Sequence, residues 1–80
     1  MNKFDLEYQY QLYLQKMALS EATMHPEQKI QLRNTFYGAI GQLLLLMRDE
    51  ISLLEEDEAV DVMGKLLNQV VNHFIAIQKN

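Results

Sequence analysis

Three features of this 80-residue sequence predict an all-α fold. Apolar residues recur at intervals of three and four along most of the chain. No stretch sustains the two-residue alternation of a strand, and no Asn-Gly or Asp-Gly pair offers a hairpin turn. The pattern resolves into a three-helix protomer, with one shorter amino-terminal helix and two long antiparallel helices. Residues 1–80 are expected to form a single helical domain.

The first helix is predicted from about Lys3 to Leu19. Phe4, Tyr8, Leu12 and Leu19 mark one apolar side, and Tyr10, Tyr13, Leu14 and Met17 widen it. Ser20 to His25 reads as a connection. Pro26 then opens the second helix, because proline at the first helical position loses no hydrogen bond. Glu27 in the first turn complements the helix dipole. This helix is predicted to continue to about Leu54. Ile30, Tyr37, Ile40, Leu44, Met47, Ile51 and Leu54 follow heptad spacing, with Arg33 interrupting one core position. A second stripe, Leu32, Phe36, Ala39, Leu43, Leu46 and Leu53, lies beside it. Two stripes exceed the single apolar face of a surface helix, so intermolecular packing is expected. Gly38 and Gly41 fit close backbone approach. The acidic run Glu55-Glu56-Asp57-Glu58 marks a turn and the next helix start. The third helix is predicted from about Glu56 to Ile77. Ala59, Met63, Leu66, Val70, Phe74 and Ile77 form its buried stripe, broadened by Val60, Leu67 and Val71.

Composition points to association as well. A chain this short buries only about 60% of the surface its unfolded form exposes. Small domains offset that with disulfides, metals or oligomerisation. Cysteine is absent, and His25 and His73 lie far apart. With 49% hydrophobic residues, self-association is the remaining route. The net charge of −4 is uneven: residues 1–48 sum to +1 and residues 49–80 to −5. Binding to duplex nucleic acid needs a basic face, and none is present. A small anion needs only two or three cations. The longest purely apolar run, Leu43 to Met47, falls far short of the ~20 residues that span a bilayer. No segment reads as a signal peptide, so a cytosolic protein without membrane contact is expected.

No catalytic constellation emerges. Ser20, Ser52, Thr23 and Thr35 have no histidine in a recognisable arrangement. Asp61 with Asp57 or Glu58 makes a carboxylate pair on one helix face. Neither histidine, however, has the glutamate three residues earlier that di-metal bundles use. The expectation is a non-enzymatic protein with no cofactor and no metal. His73 reads as a core-edge residue and His25 as part of a helix cap. Tyr8, Tyr10 and Tyr13 cannot all face one core: on a helix Tyr8 lies about 160° from Tyr10, and Tyr13 about 60° from it. At least one is expected at an interface or a ligand, the alternative being ordinary packing. Lys29 and Arg33 form a cationic pair near a helix amino terminus, where dipole and like-charge repulsion both disfavour it. The site suits a phosphate, or alternatively a solvated face or an intersubunit salt bridge.

The segments Met24-His25-Pro26-Glu27-Gln28-Lys29-Ile30, Phe36-Tyr37-Gly38-Ala39-Ile40-Gly41-Gln42-Leu43-Leu44 and Arg48-Asp49-Glu50 carry a resemblance, together with Tyr10-Gln11-Leu12-Tyr13-Leu14. The chain resembles a family of small phage proteins that sponge up cyclic nucleotides and so counter CBASS, a bacterial immune system. The resemblance implies a hexamer of two trimers in the cytoplasm of the infected bacterial host. It implies cyclic dinucleotides held between protomers without cleavage. It also implies a first-helix tyrosine stacked on a base, matching Tyr13 with Tyr10 as the alternative. A lysine on phosphate matches Lys29, with Arg33 beside it. Some relatives bind cyclic trinucleotides at a second site, using a cation and a short polar residue on the last helix, for which Lys65, Asn68 and Asn72 are the candidates; no arginine occurs on that helix here. A different class of function, an inhibitor or adaptor docking an apolar helix face on a host protein, is also compatible with the excess apolar surface.

Overall fold

The computed structural model describes residues 2–78, and these form an all-helical chain with no strand among them. The elements are α1 (Leu6–Lys16), a 3₁₀ turn (Glu21–Thr23), α2 (Pro26–Asp49), a second 3₁₀ turn (Ile51–Leu53) and α3 (Glu56–Gln78). The chain divides into two compact units, Met1–Gln42 and Leu43–Asn80, and α2 runs from the first into the second. Among the described residues no helix is long and apolar enough to cross a membrane.

α1 is shorter at both ends than the expected Lys3 to Leu19. Asp5 is its cap, accepting the Tyr8 amide on its side chain at 3.1 Å, so the helix begins only at Leu6. At the other end Ala18 adopts φ 56°, and the Leu19 amide folds back on the Leu14 carbonyl at 2.9 Å. That left-handed closure is ordinarily made by glycine, because a Cβ crowds the following carbonyl. Ala18→Gly is therefore expected to stabilise the protein by about 1 kcal/mol. Urea unfolding checks it, and an unchanged or lowered midpoint would contradict it.

The connection after α1 is organised rather than loose. Ser20 accepts the Ala22 amide on Oγ and the Thr23 hydroxyl on its carbonyl, which closes the 3₁₀ turn. α2 starts at Pro26 as the sequence predicts, and His25 Nδ1 accepts the Glu27 amide at a long 3.4 Å. α2 ends at Asp49, before the expected Leu54. The Ser52 hydroxyl donates to the Arg48 carbonyl, and the acids Asp49 and Glu50 sit where the helix dipole disfavours negative charge. The chain then turns and buries Ile51. α3 begins with Glu56, Asp57 and Glu58 in its first turn, as expected for a charge-compensated amino terminus.

Burial is sparse. Among the described residues, Tyr10 and Leu14 of α1 and Ile51 are the buried hydrophobic side chains. The α3 stripe expected to be buried is not. Of its members only Ala59 and Leu66 are partly covered, while Met63, Val70, Phe74 and Ile77 are exposed. On α2, Ile30, Leu44 and Leu46 are exposed too. The periodicity marks the apolar sides of the helices, but a chain this short has too few elements to cover them.

Candidate ligand-binding site

The amino-terminal unit is built around one arginine. Arg33 points from α2 toward α1 and the first 3₁₀ turn, and it meets two carboxylates at once. Nη1 and Nη2 donate to Glu7 at 2.9 and 2.7 Å. Nε and Nη2 donate to Glu21 at 2.8 and 2.9 Å. The guanidinium also lies 4.8 Å from the Tyr10 ring centre, a cation–π distance. Gln11 donates to Glu7 at 3.1 Å and to Glu21 at 3.4 Å, and the Tyr37 hydroxyl donates to Glu7 at 3.1 Å.

The electrostatics follow from these bonds. Arg33, then Gln11 and Tyr37, stabilise the ionised Glu7 against partial desolvation and lower its pKa from 4.5 to about 2. Glu21 is lowered too, chiefly by Arg33, with Lys29 contributing from nearby. Arg33 is raised by the same two carboxylates. Burial, and then Glu7 as hydrogen-bond acceptor, raises Tyr37. Burial raises Tyr10, whose hydroxyl has no hydrogen-bond partner among the described residues.

An aromatic cluster sits against this network. Phe36 of α2 lies 5.1 Å from Tyr10, 5.5 Å from Tyr13 and 5.8 Å from Tyr37, centre to centre, in tilted or edge-on arrangements. The three tyrosines of α1 divide as their angular spacing requires. Tyr10 is wholly buried, and Tyr8 and Tyr13 remain partly exposed. Tyr13 borders two shallow hollows. One is lined by Leu32, Thr35, Phe36, Ala39 and Ile40. The other is lined by Leu6, Gln9, Leu12, Lys16, Phe36 and Ile40.

The site residues expected from the sequence therefore part company. Tyr10 has no exposed ring to offer a base, and Arg33 has its fork filled by Glu7 and Glu21. Tyr13 keeps an accessible ring over apolar hollows. Lys29 is exposed in the first turns of α2 and makes no ion pair within 4.0 Å among the described residues. Lys29, Leu32 and Phe36 share a side of α2, so the lysine stands one turn ahead of the hollow beneath Tyr13. Lys65, Asn68 and Asn72 lie in the other unit, exposed along one side of α3.

Sequence reasoning did not find Glu7, Glu21, Gln11 or Tyr37. A signal was available: a cation at a core position of an apolar stripe needs a carboxylate. Before residue 49 only Asp5, Glu7, Glu21 and Glu27 are acidic. His73 stands edge-on to Phe74 at 5.4 Å. Among the described residues no three His, Asp or Glu side chains group as a metal ion would require.

No family model matches this sequence, and no curated protein or solved structure matches it.

Proposed function

We propose that this protein is a phage-encoded sponge that assembles into a homo-oligomer, a hexamer being favoured. It sequesters cyclic dinucleotides without cleaving them and thereby blunts CBASS signalling in the bacterial cytoplasm. The observation that carries the reading is the pairing of two groups. One is a part-exposed Tyr13 ring, backed by Phe36 over apolar hollows. The other is Lys29, one turn of α2 before Leu32 at the edge of that hollow and without an ion-pair partner among the described residues. A base needs a flat apolar platform, and its phosphate needs a cation that no carboxylate already holds. Tyr13 supplies the platform and Lys29, at the amino end of α2, the charge. Tyr10 and Arg33 act beneath them, fixing α1 against α2 so that the platform is rigid before ligand arrives.

Sequestration needs no chemistry. Free messenger falls when binding sites outnumber it and the dissociation constant lies below the receptor's threshold. Assembly supports the function twice over, by stabilising a sparsely buried protomer and by bringing further groups to the ligand. Lys65, Asn68 and Asn72, exposed on α3, are the candidates for a second, trinucleotide site.

Calorimetry against a panel of cyclic dinucleotides tests this. Binding is expected, with intact ligand recovered after denaturation. Tyr13→Ala removes a stacking surface worth about 1–3 kcal/mol, roughly a 5- to 150-fold loss of affinity. Lys29→Ala removes a charge-assisted hydrogen bond worth about 1.5–3 kcal/mol, roughly a 10- to 150-fold loss. Both variants should assemble like the parent. A folded oligomer that binds no panel member at tens of micromolar refutes the proposal.

A second reading, an adaptor that docks on a host protein, is favoured by the open apolar groove of the carboxyl-terminal unit. Leu43, Met63, Leu66, Val70 and Phe74 line it. Light scattering separates the two: a discrete oligomer in isolation supports the sponge, and a monomer supports the adaptor.

A further inference from the structure

Val60, Met63, Leu67, Val70, Val71 and Phe74 share one side of α3. All six are exposed, from 36% at Met63 to 64% at Val60. No charged residue falls among them; Asp61 and Lys65 project from the opposite side of the helix. Gly64 borders the same apolar side, and a Cβ built there would meet nothing within 4 Å. No described contact inside the chain therefore asks for glycine in mid-helix, where it is among the poorest helix formers.

The pattern selects a second copy of the chain as occupant. With Gly64 included, the positions are spaced identically from either end about Leu67, as an isologous two-fold contact requires. Antiparallel pairing about that centre sets Val60 against Phe74, Met63 against Val71 and Gly64 against Val70. A small side chain then meets a larger one in the outer pair and at the glycine. Parallel pairing would instead bring together the acidic first turns, Glu56, Asp57 and Glu58, of two copies. Antiparallel pairing separates those turns by roughly 30 Å, well beyond the ~10 Å screening length at 0.1 M salt. The six side chains expose on the order of 500 Å², over half of the ~800 Å² per partner of a standard interface.

We propose that α3 packs antiparallel on α3 of a second copy about a two-fold axis at Leu67, with Gly64 as the point of close backbone approach. The proposal rests on the self-assembly reading above and specifies one two-fold contact within that assembly.

The chain has no cysteine, so single cysteines report the contact cleanly. Leu67→Cys is expected to cross-link to itself under mild oxidation, and Asp61→Cys, on the far side, is not. In sedimentation, Leu67→Glu should weaken self-association at least about tenfold. Gly64→Ala raises helix propensity, yet should also weaken association by about tenfold if backbones meet there. A wild-type monomer would overturn self-assembly and this interface together. A wild-type oligomer that persists in Leu67→Glu, with no cross-link in Leu67→Cys, would overturn the interface alone and leave the sponge reading intact. Retained association in Gly64→Ala would refute the close approach. Association only with a host protein on this face would replace the second copy by that partner. Should Leu67→Glu lose its helical circular dichroism, the two cysteine variants decide.

Discussion

Leu14→Ala is expected to unfold the amino-terminal unit. Leu14 is 1% exposed, and with Tyr10 it provides the fully buried side chains of α1. Removing a buried leucine side chain costs about 2–5 kcal/mol, the transfer free energy plus that of the cavity left behind. A small unit with so little buried surface has no comparable reserve. Leu14 also accepts the Leu19 amide that ends α1, so the loosened turn would lose its packing as well. Amide resonances of Leu6–Lys16 should collapse into the unfolded range, and the near-ultraviolet tyrosine signal should vanish. A variant that keeps both at room temperature would contradict the assignment of the core to these residues.

The second large effect is acid sensitivity of the same unit. The Glu7 pKa is about 2 in the folded chain against an ordinary 4.5, principally because Arg33 bonds its carboxylate. The folded state therefore binds fewer protons here than the unfolded state does. The resulting stabilisation is complete above about pH 4.5 and is lost progressively as the pH falls toward 2. Glu21 shifts in the same direction and adds to the loss. The melting temperature should drop steeply across that window. Arg33→Met keeps an apolar stem over Tyr10 but removes the guanidinium, leaving two carboxylates facing each other. Glu7 should then titrate much closer to its ordinary value, with Gln11 and Tyr37 still holding it down, and the drop below pH 4.5 should shrink. NMR titration of the Glu7 carboxyl reads this directly. An unchanged Glu7 pKa in Arg33→Met would refute the network as its cause.

Much of the secondary structure was legible because its determinants are local. Pro26 after His25 and the acids after Leu54 mark helix starts through backbone and dipole effects confined to one turn. The ends of α1 were less legible. Asp5 and Ala18 act through one capping bond and one left-handed residue, and alanine carries no signal for that conformation. The tyrosine spacing required that the three rings part. It did not say which of them would be buried.

The candidate site divides along the same line. Arg33 was legible as an exception, a cation within an apolar stripe, but its partners Glu7 and Glu21 lie 26 and 12 residues away. Such pairing is invisible until the chain folds. The fold consumed Arg33 and Tyr10 internally and left Lys29 and Tyr13 accessible, a choice no spacing rule makes.

Local order decided that this chain is helical, where α2 and α3 begin and which of their sides are apolar, because dipole, proline geometry and a 3.6-residue repeat act within a few residues. Tertiary structure decided what covers those sides. Burial depends on which surfaces meet, and along α3 from Val60 to Phe74 most of the apolar side chains stay exposed.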